Sequence, residues 1–314
     1  MARGRYTSGS TVKTVVRAAV IILASLALIG FCLVRWREKR HAAASVSSVE
    51  GLFAVYFIDV GQGDACLVRS PSGHYMFIDA GPTENAPSTV QFLRSHGVDK
   101  LEVLLLTHPH EDHFGGMTQI IETFDIARFI THRGFADMYP VTRFRTMLDD
   151  DTDFVGIAAG ETFSFDGILI EVLSPKNVDP DDPNESSLCL KLTYGDTSFL
   201  FTADIGNAAE NALLACDADL HADVLKVAHH GSSASSSAAF LDAVQPSAAV
   251  ISVGAGNDYG HPSSNTLRTL EARGTDIYRT DQCGSVLFVS NGTGVYHMTM
   301  DKKGVYASPL ADAA

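Results

Sequence analysis

The amino-acid sequence predicts an α+β fold in which two β-sheets pack against each other and helices cover their outer faces. The first observation is that apolar runs of strand length occur in two successive sets along the chain. The second is that stretches with a helical spacing of apolar residues lie between those strands. At 314 residues, the chain can hold one large core domain or two medium ones.

The first set of strands follows a short linker at 41–51, which is rich in Ala, Ser and Val. Strands are predicted at 53–60, 65–69, 75–78, 101–106 and 127–131. Helices are predicted at 88–96, 117–124 and 141–148. The run Leu-Glu-Val-Leu-Leu-Leu at 101–106 is almost wholly apolar, which indicates a buried strand. The acidic residues at 149–153 predict a solvated loop.

The second set of strands begins with a hairpin predicted over 161–173. The turn Gly195-Asp196 is a strong hairpin signal, and it joins strands at 187–194 and 198–202. Further strands are predicted at 224–228, 248–253, 277–279, 285–290 and 295–300. Helices are predicted at 208–216, 235–244 and 265–273. The folded domain therefore spans 52–300, and a tail is predicted at 301–314.

A membrane anchor is predicted within a basic N-terminal segment at 1–40. Residues 18–34 include no charged side chain, a length at the short end of what spans a bilayer core of roughly 30 Å. Four basic residues between 35 and 40 separate this run from the small residues at 42–44, which favours an uncleaved anchor over a signal peptide. The prediction is a single-pass protein of the cell membrane with its domain extracytoplasmic, or a secreted protein if the segment is cleaved.

Charge is divided unevenly along the chain. The whole chain has a net charge of −14, and residues 1–50 have a balance of +6, which leaves −20 for residues 51–314. A domain this acidic lacks the basic surface that binds the phosphates of duplex nucleic acid. Tight duplex binding is therefore not expected.

The run His108-Pro109-His110-Glu111-Asp112-His113 directly follows the predicted buried strand. A divalent metal needs several nitrogen or oxygen donors at one point, and a tight loop on a fixed strand can supply them. Three imidazoles and a carboxylate within six residues indicate a metal site rather than a solvated surface turn. The pair Gly115-Gly116 allows the following helix to pack closely.

This run resembles the signature of the metallo-β-lactamase superfamily, whose αββα four-layer sandwich also suits the predicted strands. Five further segments resemble the ComEC-type competence proteins within that superfamily: 57–65 (Phe-Ile-Asp-Val-Gly-Gln-Gly-Asp-Ala), 184–188 (Asn-Glu-Ser-Ser-Leu), 202–204 (Thr-Ala-Asp), 226–232 (Lys-Val-Ala-His-His-Gly-Ser) and 260–262 (Gly-His-Pro). The resemblance covers about 52–300. The membrane channel that accompanies this domain in ComEC has no counterpart in the resemblance, which implies a stand-alone metallo-hydrolase domain.

The resemblance implies two divalent metal ions, Zn²⁺ or Mn²⁺, that share a bridging carboxylate. The first ion would be held by His108, His110 and Asp204. The second ion would be held by Asp112, His113, Asp204 and His261. Cations bridged in this way lie roughly 3.5–4 Å apart and can share an activated water.

One position departs from the pattern of the superfamily. Many members have a third His for the first metal, and here Asn184 takes that place, twenty residues before Asp204. An amide oxygen is a weaker and harder donor than imidazole, so the first site would bind less tightly or prefer Mn²⁺.

Further residues are predicted around the metals. Asp79, in the segment Ile-Asp-Ala-Gly, would orient a metal-bound His, although a simple turn Asp explains it nearly as well. Residues predicted to support the site in the same way, with a plain turn as the alternative, are Asp59, Gln62 and Asp64.

The pair His229-His230 ends an apolar strand, where neighbouring side chains face opposite ways. One of the two is predicted to be catalytic, by protonating the leaving oxygen or holding the phosphate. In an alternative assignment, His229 replaces His261 as the last metal ligand. Residues predicted to contact a phosphate are Lys226, Ser232 and Ser233, where a Ser-rich linker is the alternative for the two serines.

The resulting hypothesis is hydrolysis of a phosphodiester outside the membrane. The resemblance implies a substrate that is either single-stranded DNA or a phosphorylated cell-wall component. A weakly catalytic DNA-uptake accessory that binds a strand or a partner is the alternative. A β-lactamase is less favoured, because the segments around Asn184, His229 and His261 resemble the competence proteins.

Overall fold

The computed structural model describes residues 49–301 and 304–310. The predicted anchor at 18–34 lies outside these residues. Among the helices that are described, none combines the length and the apolar content needed to cross a bilayer.

Short strands dominate the described chain. In chain order they are β1 (Phe53–Phe57), β2 (Cys66–Arg69), β3 (Tyr75–Ile78), β4 (Lys100–Leu101), β5 (Val103–Leu106), β6 (Asp125–Ile126), β7 (Arg128–His132), β8 (Asp153–Ile157), β9 (Thr162–Phe165), β10 (Ile168–Ser174), β11 (Cys189–Tyr194), β12 (Thr197–Phe201), β13 (Val224–Lys226), β14 (Ala248–Ile251), β15 (Asp276–Arg279), β16 (Val286–Ser290), β17 (Val295–Asp301) and β18 (Gly304–Pro309).

The helices lie between these strands. In chain order they are α1 (Ala86–Ser95), α2 (Glu111–Phe114), α3 (Met117–Thr123), α4 (Val141–Met147), α5 (Asn207–Leu214), α6 (Ala238–Val244), α7 (Ser264–Glu271) and α8 (Thr280–Cys283). Single 3-10 turns occur at Thr83–Asn85, Arg133–Phe135 and Ala228–Gly231.

Two large sheets contain most of the strands. Within the described residues, a 9-stranded sheet has the order β18-β17-β16-β1-β2-β3-β5-β7-β8, and a 7-stranded sheet has the order β15-β14-β13-β12-β11-β10-β9. Pairing is parallel along β3-β5-β7-β8 and along β12-β13-β14-β15. Parallel neighbours need crossover connections, and helices supply several of them.

Alternating side chains of β1 separate two apolar layers, because successive residues of a strand face opposite sides of its sheet. Phe53 and Phe57 lie in the core between the two sheets, whereas Ala54 and Tyr56 pack in the core beneath the helices. Phe57 stacks on Phe201 of the second sheet, with ring centroids 5.8 Å apart. A third core lies between the second sheet and its helices. The layers therefore follow the αββα order, which confirms the predicted sandwich.

Two segments differ from the sequence prediction. Strand β8 starts at Asp153, within the acidic stretch that was predicted as a loop, and it pairs with β7 at the edge of the sheet. Strand β18 lies within the predicted tail and pairs with β17. Both are edge strands of the 9-stranded sheet.

Candidate metal centre

The predicted metal ligands converge where strands of both sheets end. His108 to His113 follow β5 of the first sheet, and His110 is the N-cap residue of α2. Asp204 follows β12 of the second sheet, and His230 lies in the 3-10 turn after β13. The site is therefore built from both halves of the sandwich.

Four side chains form the larger of two groups that could hold a metal ion within the described residues. Asp112, His113, Asp204 and His230 each offer a ligand atom, and these atoms all lie within 4.8 Å of one another. His113 Nε2 lies 3.3 Å from Asp204 Oδ1. His230 Nε2 lies 3.2 Å from Asp112 Oδ2 and 3.4 Å from Asp204 Oδ2. Asp204 thus presents one oxygen to each of two imidazoles.

Hydrogen bonds at Nδ1, the ring nitrogen that does not face Asp204, fix both of these imidazoles. Asp79 accepts from Thr107 N at 2.9 Å, from Thr107 Oγ1 at 2.7 Å and from His113 Nδ1 at 2.8 Å. His230 Nδ1 donates to the carbonyl oxygen of Ser252 at 2.9 Å. When Nδ1 carries the proton in this way, Nε2 is left as the free donor atom that a metal needs. Asp79 therefore lies where the resemblance implies it.

The charges of the site favour positive ions. Burial alone would lower the pKa of His113 and His230, but the carboxylate of Asp204, with its neighbours, raises both pKa values well above the ordinary value. Burial alone would raise the pKa of Asp204, but His230 and His113 hold it well below its usual range. A cluster that attracts protons this strongly also attracts metal cations.

Several buried donor atoms lack the partner that burial normally requires. Such atoms, without a hydrogen bond, are His108 Nε2, Asn184 Oδ1 and His261 Nδ1. An unsatisfied buried polar atom costs about 1–3 kcal/mol. Bound cations would take the place of the missing partners and remove this cost, because each of these atoms is a normal metal ligand. The residues present therefore fit a metal centre.

A cavity of about 190 Å³ opens beside this group. It is lined by Gln62, His110, Asp112, Asn184, Asp204, His229, His230, Tyr259 and His261. His108 lies just beneath, fully buried, with its ring centroid 4.7 Å from that of His110. Asn184 thus reaches the cavity beside the residues predicted for the first metal.

The prediction that His229 and His230 face opposite ways is wrong, because the strand ends at Lys226. Both residues have a left-handed backbone, with φ values of 49° and 53°, within the turn Ala228–Gly231. This turn directs both imidazoles to the site, and His229 Nε2 lies 3.9 Å from Asp204 Oδ2. Left-handed φ is unfavourable for residues with a Cβ, and such strain concentrates at functional sites.

His261 lines the cavity but stands apart from the group of four side chains. Its ring centroid is 5.6 Å from that of His229, and it does not belong to the group of four side chains within 4.8 Å. His230 occupies the position between Asp112 and Asp204 that was predicted for His261. The structure therefore favours His230 as the last ligand of the second metal.

The residues predicted to support the site have different surroundings. Gln62 lines the cavity and accepts from Gly254 N through Oε1. Asp64 is buried, 3.4 Å from His230 Nδ1. Asp59 is exposed and its carboxylate accepts from Gly61 N, as in the turn that was the alternative.

The loop that contains Gln62 and Asp64 approaches the metal-binding run very closely. Asp64 N donates to the carbonyl oxygen of Asp112 at 3.1 Å. A Cβ at Gly63 would lie 2.3 Å from that oxygen, and the φ of Gly63 is +142°. Only glycine meets both requirements.

None of the three residues predicted to contact a phosphate lines the cavity. Lys226 is 1% exposed, and its Nζ lies 2.8 Å from Asp64 Oδ2, beneath the site. Ser232 is buried and accepts from Ala234 N, and Ser233 is exposed. The prediction for Lys226 fails because β13 is a central strand whose residues are all buried.

Three residues near the site were not predicted. Thr107 orients Asp79, Tyr259 lines the cavity, and Asn257 holds the loop that contains Tyr259. The run Asn-x-Tyr-Gly-His over 257–261 could have indicated Asn257, because Asn favours turns.

An αββα sandwich with imidazoles and carboxylates gathered at its strand ends defines a metallo-hydrolase type of protein. The family model of the Metallo-beta-lactamase superfamily matches residues 58–255. The chain belongs to this superfamily.

Its relatives confirm the resemblance to ComEC-type competence proteins. The chain is 29% identical to ComE operon protein 3 of Bacillus subtilis over 252 residues, which is 74% of this chain and 32% of the relative. It is 32% identical to competence protein ComA of Neisseria gonorrhoeae over 244 residues, which is 77% of this chain and 33% of the relative. The matched region thus spans about a third of these longer proteins.

Solved structures share the fold at low sequence identity. The metallo-beta-lactamase fold protein YhfI from Bacillus subtilis aligns with a TM-score of 0.53 at 12% identity, over 76% of this chain and 100% of that one. Zn(2+)-bound PqqB from Methylobacterium extorquens aligns with a TM-score of 0.51 at 12% identity, over 72% of this chain and 97% of that one.

Proposed function

We propose that this chain is a two-metal phosphodiester hydrolase that acts outside the membrane on single-stranded DNA or a phosphorylated cell-wall component. The observation that carries the proposal is the convergence of Asp112, His113, Asp204 and His230 within 4.8 Å beside an open cavity. The names of the relatives, which are competence proteins, support a nucleic-acid substrate.

Two groups of residues would hold the cations. One cation would be held by His108, His110 and Asn184 together with Asp204. The other would be held by Asp112, His113 and His230 together with Asp204. Divalent cations in such a pair supply an activated water and neutralise negative charge on a phosphoryl group. The open cavity gives a substrate access to both groups.

His229 would act on the substrate. Its side chain is 30% exposed at the cavity, while His230 beside it is only 2% exposed. An imidazole in this position would hold a phosphoryl oxygen or deliver a proton to the leaving oxygen. No side chain is required as a nucleophile in this scheme.

Two other functions are less well supported. A non-catalytic DNA-uptake accessory would not need buried metal-ligand atoms without a hydrogen-bond partner, such as those of His108 and Asn184. A tight binder of duplex DNA would not have a charge of −20 over residues 51–314.

The anchor at 18–34 stays a prediction, which protease accessibility on intact cells would check.

Replacement of Asp112 by alanine tests the enzyme directly. We expect Mn²⁺- or Zn²⁺-dependent hydrolysis of bis-p-nitrophenyl phosphate by the wild-type chain and a loss of about 100-fold or more in Asp112→Ala, because the variant lacks a carboxylate beside His230 and Asp204. Equal rates in both proteins would reject the proposal. Parallel assays on single-stranded DNA, RNA, choline phosphodiesters and β-lactams would identify the substrate.

The last ligand of the second metal is tested by two histidine variants. We expect His230→Ala to bind one cation fewer than wild type, because it removes Nε2 from between Asp112 and Asp204. His261→Ala should keep both cations, since its ring lies outside that group. The measurement is metal content after gel filtration. The opposite pattern would restore His261 as the ligand.

A further inference from the structure

An aromatic side chain stands exposed at the rim of the cavity. Tyr259 is 72% exposed, although it lines the same cavity as the metal-ligand candidates. Its ring lies almost parallel to that of His261, at an angle of 24° with centroids 5.7 Å apart. An exposed aromatic ring beside a ligand cavity is surface that a ligand can cover.

The loop that presents Tyr259 is ordered by one asparagine. Asn257 Oδ1 accepts from Tyr259 N and from His261 N, each at 3.1 Å. Asn257 Nδ2 donates to the carbonyl oxygens of Gly254 at 2.9 Å and His261 at 2.7 Å. The backbone around the exposed ring is therefore fixed before any ligand arrives, which lowers the entropy cost of binding.

The base of this loop, at Gly254, is hydrogen-bonded to Gln62, another residue that lines the cavity. Gly254 N donates to Gln62 Oε1 at 3.2 Å, and a Cβ at Gly254 would lie only 2.7 Å from Gln62 N. Gln62 and Tyr259 both line the cavity. The backbone that presents Tyr259 is thus attached to another residue of the cavity lining.

We propose that Tyr259 is a stacking platform for a nucleobase next to the phosphodiester that lies in the cavity. The proposal rests on the proposed function and adds the part of the substrate that the chain recognises. A base stacks on one flat ring whatever its identity, and such stacking needs no positive charge from the protein. It therefore suits an acidic domain, on which binding through many phosphates is unfavourable.

A quaternary ammonium group is the competing ligand, since it also binds aromatic rings. Such groups are held by cages of several aromatic side chains. In the part of the chain that the structure describes, the other cavity-lining residues besides Tyr259 are His, Asp, Asn and Gln. One flat face favours a planar base over a spherical cation.

The test compares two strands that differ only in their bases. The full chain is assayed on a single-stranded oligothymidine and on an abasic deoxyribose phosphate strand of the same length. We expect wild type to prefer the oligothymidine by about tenfold in kcat/KM, and Tyr259→Ala to lose this preference. Tyr259→Phe should keep the preference, because stacking needs the ring and not the hydroxyl.

Tyr139 supplies a matched control. It is an exposed tyrosine, at 68%, and it does not line the cavity. Tyr139→Ala should therefore keep the preference of wild type. An equal preference in wild type and Tyr259→Ala would overturn the proposal while leaving phosphodiester hydrolysis intact.

Binding separates this proposal from the proposed function. If no strand is cleaved, the phosphodiesterase proposal fails for nucleic acids, and fluorescence anisotropy with the same labelled strands still measures the role of Tyr259. Equal affinity of wild type for both strands would then overturn the stacking proposal. Competition by a choline phosphodiester, but not by thymidine nucleotides, in a manner that requires Tyr259 would overturn it as well.

Discussion

Replacement of Asp204 by asparagine is expected to abolish metal-dependent hydrolysis and to remove at least one bound cation. Asp204 is 2% exposed, and its two oxygens face His113 Nε2 at 3.3 Å and His230 Nε2 at 3.4 Å. Asparagine keeps the shape but loses the charge that a bridging ligand shares between two cations. Such a loss of several kcal/mol corresponds to about 1000-fold or more in rate.

The measurement combines metal analysis with hydrolysis of bis-p-nitrophenyl phosphate. Asp59→Asn is the matched control, because Asp59 is an exposed carboxylate in a turn and does not line the cavity. It should keep wild-type metal content and rate. A fully active Asp204→Asn variant with two cations would show that the metal centre has been assigned to the wrong residues.

Replacement of Lys226 by methionine is expected to lower the free energy of unfolding by about 3–5 kcal/mol. Lys226 Nζ lies 2.8 Å from Asp64 Oδ2, and the two side chains are 1% and 5% exposed. The variant leaves the carboxylate of Asp64 buried without its cation. Burial alone would raise the pKa of Asp64, and Lys226 is the main group that holds it low.

Lys191→Met is the control for this variant, measured by urea unfolding in EDTA. Lys191 is also buried on a strand, but its partner Asp219 is 76% exposed and stays hydrated when the lysine is lost. Its cost should therefore be much smaller, at about 1 kcal/mol or less. The double variant Asp64→Leu/Lys226→Met should recover part of the stability. Equal losses for Lys226→Met and Lys191→Met would contradict the argument.

The elements with regular apolar patterns were predicted well from the sequence. The strand at 75–78 and the helix at 117–124 match β3 and α3 within one residue. Strand β8 was missed because its acidic start at Asp153 and its Gly156 conceal the pattern. The order of strands within each sheet depends on contacts between distant segments, which local patterns do not contain.

The site was predictable where its residues are close in sequence. The run from His108 to His113 stands out by composition alone, whereas the pairing with Asp204 was implied only by the family resemblance. The left-handed φ of His229 and His230 could not be predicted, because such a backbone is rare for residues with a Cβ. The burial of Lys226 was equally hidden, since a lysine is rarely found in the interior.

The candidate metal centre joins the strand ends of two sheets whose main contact is apolar. Cations held there would act as a cross-link between halves of the chain that are distant in sequence. Their binding free energy would then add to the stability that the apolar contact provides. One such contact is that of Phe53 with Phe199, whose ring centroids are 5.2 Å apart. Removal of metal would thus lower the stability of the contact between the two sheets at this end of the sandwich.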